Sequence, residues 1–159
     1  MTFEEALAAD TLGLLLPEAL PRIATDALVA GAESTSLAAL AGESPRASSA
    51  DDLHALFNKA LEELRITRPS PIDAVSQLIR YYARRVVSRE LPPERGVDAV
   101  ARTLRELRSV PDPAATLGIG ELAWLHLDFE ALHEGFGSAE DLNERALEAF
   151  RQLLDAPAV

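Results

Sequence analysis

The sequence predicts an all-α protein, a compact bundle of about six to eight helices with short connections. Apolar residues recur every three or four positions through most of the 159 residues. No stretch alternates apolar and polar residues in the way a half-buried strand does. Prolines and glycines divide the chain at intervals typical of helix ends, and the short links between them favour antiparallel neighbours.

Local signals place the individual helices. The segment Thr2–Glu5 has the pattern of a capping box, so a first helix is expected from there to about Leu15, before Pro17. Pro21 suits the first turn of a second helix, and Gly31 suits its end. The helices that follow the first are expected over 21–31, 36–41, 51–65, 71–90, 93–107, 120–134 and 138–154.

The domain prediction is one helical domain over residues 1–159. Residues 42–50 (GESPRASSA) consist of turn formers with almost nothing to bury, so a weak seam is expected there.

Composition excludes several classes of protein. The chain has no cysteine, so disulfides and cysteine-ligated metal sites are impossible. A net charge of −11 disfavours nucleic-acid binding. The acidic start does not resemble a signal peptide, and no apolar run approaches the roughly 20 residues that cross a bilayer. A cytoplasmic protein without membrane contact is therefore predicted.

Positive charge is concentrated in residues 80–108, which hold eight arginines against four acidic residues. Both flanking segments are strongly acidic. Five of these arginines lie off the apolar stripes of their helices and are expected to be solvated and to pair with the acidic C-terminal third. A docking patch for an acidic partner is the alternative. The residues are Arg80, Arg84, Arg85, Arg102 and Arg105.

One cluster suggests metal chemistry. His126, Glu130 and His133 share a helix flank, and Glu130–His133 has the Glu-x-x-His spacing of carboxylate-bridged di-iron bundles. Glu134 follows directly. Such bundles need a second Glu-x-x-His pair. The nearest match in this sequence is Asp51–His54, in which an aspartate stands where the motif has a glutamate. A locally bonded polar flank is therefore favoured, no cofactor is predicted, and a metal-binding bundle or metal-dependent enzyme is the alternative hypothesis.

The same helix is apolar on two sides. Leu122, Leu125, Phe129 and Leu132 form one stripe, whereas Trp124, Leu127 and Ala131 form another on the nearly opposite side. Such a helix is either central in its bundle, which the pattern favours, or covered by a second chain. The second stripe is the candidate interface with another protein or with a second copy of this chain.

Two stretches resemble known proteins when taken together. Residues 17–31 (PEALPRIATDALVAG) and 36–42 (SLAALAG) are similar to the opening of small acidic helical proteins of high-GC bacteria. The segment Pro93–Gly96 matches a Pro-x-x-Gly turn of that group. The resemblance implies a compact helical fold and supplies no catalytic residues, since the group has no known activity.

These observations favour a non-enzymatic domain that binds another protein, such as an immunity or neutralising protein or an adaptor. No phosphate-binding glycine loop, nucleophile elbow or zinc-protease helix occurs in the sequence. A nucleic-acid mimic ranks last, because the positive segment 80–108 interrupts the acidic surface that a mimic needs.

Overall fold

The computed structural model describes residues 1–45, 47–133 and 135–156, and its regular elements are helical throughout these ranges. The prediction of an all-α fold is confirmed. Within the described ranges the chain forms nine α-helices and one 3-10 turn. The eight predicted helices are all present, and the ninth is a single turn inside the proline-rich break near residue 112. None of the helices in these ranges is both long enough and apolar enough to cross a membrane.

The chain divides into two compact units, Met1–Ser70 and Pro71–Val159. The division falls at Ser70–Pro71, whereas the loop at 42–50, where a weak seam was expected, lies inside the first unit. That the two units form a single domain stays a prediction.

The first unit is built from four helices, in which α2 packs on α1, α3 and α4, and α3 packs on α4. Its core contains Leu20, Leu37, Leu40 and Phe57, none of which is accessible to solvent. The elements are α1 (Phe3–Thr11), a 3-10 turn (Pro17–Ala19), α2 (Leu20–Val29), α3 (Thr35–Gly42) and α4 (Ala50–Leu64).

Helix α1 begins as predicted and ends early. The Thr2 hydroxyl accepts a hydrogen bond from the Glu5 amide at 3.2 Å, and the Glu5 carboxylate accepts one from the Thr2 amide at 2.6 Å. The expected end near Leu15 is wrong, because the helix stops at Thr11. Gly13 has φ +68°, the left-handed conformation that closes a helix, so this glycine stops α1 before the proline does.

One carboxylate joins α3 to the end of α4. Glu63 accepts hydrogen bonds from the hydroxyls of Ser34 and Ser36, both at 2.6 Å, and from the Ser36 amide at 3.0 Å. These bonds favour the ionised form, and they lower the pKa of Glu63 from 4.5 to about 2. Ser34 also caps α3 by accepting from the Leu37 amide.

The second unit carries the remaining five helices. Helix α5 packs on α6 and α9, α8 packs on α6 and α9, α6 packs on α9, and the short α7 packs on α8. The elements are α5 (Pro71–Val87), α6 (Pro93–Leu104), α7 (Pro113–Thr116), α8 (Gly120–His133) and α9 (Ala139–Asp155).

A buried glycine holds α5, α6 and α9 close together. Gly96 lies in the first turn of α6, and a Cβ atom added there would overlap Val86 Cγ2 of α5 and lie 3.1 Å from two ring carbons of Phe150 on α9. The helix predicted over 93–107 is present as α6. It begins at Pro93 as predicted, because the missing N–H of proline is harmless at the first helical position.

Replacing Gly96 tests this packing. Gly96→Ala should lower the free energy of unfolding by about 1–2 kcal/mol, because overpacking outweighs the helix propensity gained with alanine. Urea unfolding followed by circular dichroism measures the change. Gly42→Ala in α3 is the matched control, since a Cβ there meets no atom within 4 Å. Equal effects of the two substitutions would contradict the close approach of α5 and α9 to Gly96.

The Glu63 cluster predicts a dependence on pH. Because the pKa of Glu63 is about 2 in the folded state and 4.5 ordinarily, the folded protein binds fewer protons between these values. The stabilisation of the fold by ionised Glu63 is therefore complete above about pH 4.5, and it is lost as the pH falls through about 2. Ser36→Ala should raise the Glu63 pKa in a carbon-detected NMR titration. Thr35→Ala, at the neighbouring residue, should leave the Glu63 pKa unchanged. An equal shift in both variants would contradict the conclusion that the hydrogen bonds from Ser36 lower this pKa.

Candidate functional site

Helix α8 uses only one of its two apolar sides for folding. Leu122, Leu125 and Phe129 are buried on the side that meets α6 and α9. This side accounts for the packing of α8 within the second unit.

The opposite side of α8 is open to solvent. Trp124 is 69% exposed and Leu127 is 50% exposed, while Ala131 is half-buried. The alternative of a core helix packed on both sides is therefore wrong for α8. Because a lone tryptophan is a large apolar surface to leave in water, its exposure is the most informative feature of the site.

Helix α7 makes this surface concave. Trp124 and Leu127 line a shallow concavity together with Ala114 and Ala115 of α7 and with Gly120 and Ala123 of α8. Asp112 borders it and caps α7, accepting a hydrogen bond from the Ala115 amide at 3.0 Å. The residues that line this concavity are thus small alanines and a glycine together with two large apolar side chains and Asp112.

Sequence reasoning missed Phe136. This residue follows α8 in the Gly-Phe-Gly segment, is 69% exposed, and donates its amide hydrogen to the Ala131 carbonyl oxygen at 3.1 Å. The bond places the backbone of Phe136 beside Ala131 in the last turn of α8. An aromatic residue between two glycines was a signal, because a loop of small residues cannot bury it. We call Trp124, Leu127, Ala131 and Phe136 the α8 apolar surface.

Acidic side chains surround this surface. Glu121 and Asp128 lie one turn to either side of Trp124 along α8, and both are accessible to solvent. Asp128 pairs with Arg145 of α9 at 3.2 Å, an exposed pair that contributes little to stability. Arg145 offsets the charge of Asp128, so the negative charge of the surroundings comes from Glu121 and Asp112.

The predicted metal residues do not converge. His126 Nε2 lies 3.5 Å from Glu130 Oε1, whereas His133 Nε2 lies 3.3 Å from Glu94 Oε1 of α6. The other ring nitrogen of His133 is 2.8 Å from the Phe129 carbonyl oxygen. Among the described residues no group of three histidine or carboxylate side chains could hold a metal ion. Glu134 lies outside the described residues.

The predicted basic patch is divided among local contacts. Arg85 pairs with Glu90 at 3.4 Å and Arg102 pairs with Asp98 at 3.2 Å, so these two pairings stay within the segment 80–108. The expectation that they pair with the acidic C-terminal third is wrong, because nearer carboxylates are available.

The other three arginines of that set differ in their surroundings. Arg80 donates from Nη2 to the Ala156 carbonyl oxygen at 2.9 Å. Arg84 and Arg105 are exposed. A single docking patch for an acidic partner therefore stays a prediction.

Comparison with protein-family models, with curated proteins and with solved structures finds no match for this chain. The resemblance to helical proteins of high-GC bacteria accordingly stays a prediction.

Because Trp124 is exposed, we expect its replacement to reduce stability much less than replacement of the buried Leu125. Trp124→Ala should change the free energy of unfolding by less than about 0.5 kcal/mol, because the side chain has little packing to lose. Leu125→Ala, one residue later with 0% exposure, should lower it by about 2–5 kcal/mol. Urea unfolding of both variants measures the difference. A large loss for Trp124→Ala would show that the tryptophan is part of the core.

Proposed function

We propose that this protein is a non-enzymatic binding domain that recognises another protein through the α8 apolar surface. The exposed, neighbouring Trp124 and Leu127 carry this proposal. Tryptophan is enriched among the few residues that supply most of the energy at interfaces, and such anchors work best beside a concave, desolvated pocket. The concavity between α7 and α8 lies beside Trp124 and offers a place for an anchor of the partner.

Charge favours a basic partner over a second copy of this chain. In a symmetric dimer the same surface faces itself, so Glu121 and Asp112 would approach the acidic surroundings of the other copy. The chain carries a net charge of −11, which repels a second copy and attracts a positively charged protein over a distance. A partner with an apolar centre and basic edges therefore fits best.

An immunity or adaptor role is consistent with this proposal. Both roles can be filled by a small acidic domain that covers a site on a basic partner, and neither needs catalytic residues in that domain. The absence of cysteine suits the reducing cytoplasm, where we expect the complex to form.

Crosslinking in the native cell tests the proposal. A photoreactive amino acid at Leu127 should crosslink to one basic protein, and the same group at Val29 of α2, which is 85% exposed, is the control position. The partner identified in this way is then purified and titrated with this protein. Trp124→Ala should weaken its binding about 30-fold or more, whereas Val29→Ala should not.

Salt provides a second criterion. The affinity should fall as ionic strength rises, because added ions screen the attraction between the acidic domain and a basic partner. Crosslinks that join only copies of this chain would contradict the proposal, as would a purified partner whose affinity is unchanged by Trp124→Ala.

A further inference from the structure

A separate cavity lies on the other side of the first turn of α8. It has a volume of about 330 Å³ and is enclosed by α5, α8, α9 and the loop that joins α7 to α8. Its walls are mostly aliphatic, with Ile79, Leu122 and Leu153 each from a different helix. This volume lies within the range of pockets that bind small molecules.

Four polar side chains line the cavity, Ser76 and Arg80 of α5, Glu121 of α8 and Gln152 of α9. Arg80 and Ser76 line it one turn apart, and the hydrogen bond from Arg80 to the Ala156 carbonyl oxygen holds the guanidinium at the end where Ala156 lies. The Ser76 hydroxyl makes no hydrogen bond to any other described residue and stays accessible to solvent. The guanidinium has five N–H donors, which leaves several for a ligand.

Local charge at this cavity favours an anion. Arg80 is the cationic side chain among the residues that line it. The first turn of α8 also lines the cavity, and the helix dipole adds a partial positive charge there. Glu121 opposes this effect, but its carboxylate is exposed and solvated at the cavity edge.

From these observations we propose that the cavity binds an aliphatic carboxylate, with the carboxylate on Arg80 and Ser76 and the alkyl chain between α5, α8 and α9. An apolar cavity of about 150 Å³ holds the six carbons of benzene, so by proportion one of about 330 Å³ holds about thirteen non-hydrogen atoms. Octanoate, with about ten, is of the right size. The cavity is a different site from the α8 apolar surface, because it shares neither Trp124 nor Leu127 with it.

Calorimetric titration with octanoate tests the site, and octanol serves as the uncharged ligand of equal length. Octanoate should bind at least tenfold more tightly than octanol, because a hydrogen bond to a charged group is worth about that factor or more. Arg80→Gln should abolish this preference. Arg105→Gln, which removes the same charge from an exposed position outside the cavity, should preserve it.

A second pair of variants tests the location of the alkyl chain. Ser76→Leu fills the cavity and should abolish binding of both ligands, whereas Gln77→Leu, exposed on the same helix, should not. Circular dichroism establishes whether each variant is folded. If the Ser76→Leu variant is unfolded, the proposal is judged on the result for Arg80→Gln alone.

Several results would overturn the proposal. These are no octanoate binding at millimolar concentration, equal affinity for octanol, an unchanged preference in Arg80→Gln, and unchanged binding in a folded Ser76→Leu variant. Tighter binding of octylamine would also overturn it, since that would make Glu121 the polar contact.

Discussion

The second unit depends on the absence of a side chain at Gly96. Helix–helix distances are set by the side chains at the contact, and here Val86 and Phe150 occupy the space that a Cβ would need. Helices α5, α6 and α9 therefore meet at one point, and Phe150 is fully buried between them. Two of these helices, α6 and α9, then provide the surface on which α8 packs.

This arrangement explains why α8 is apolar on two sides and yet is not a core helix. Leu125 on the inner side is buried by the helices that Gly96 brings together, so folding is complete without the outer side. Folding then gives no reason for Trp124 and Leu127 to be large and apolar. Burying a tryptophan removes roughly 150–250 Å² from water, a gain that is still available to a binding partner.

The sequence predicted the helices well because one-sided burial leaves a periodic pattern, as in α4, where Leu53, Phe57 and Leu61 are buried. The sequence-based prediction failed where a single residue determines where a helix ends, as Gly13 does for α1. It also failed to decide between the two sides of α8. Both sides have helical spacing and similar composition, so only tertiary contacts determine which one is covered. The cavity beside Arg80 was likewise beyond prediction, because its walls come from helices distant in sequence.

The two proposed sites share α8 but use different sides of its first turn. Gly120 and Ala123 face the concavity beside Trp124, whereas Glu121 and Leu122 line the aliphatic cavity. Helix α7 borders the first site, and the loop after it borders the second, so neither ligand occupies space that the other requires. Both can therefore bind at once. If a carboxylate changes the affinity for the partner protein, linkage requires that the partner change the affinity for the carboxylate by the same factor.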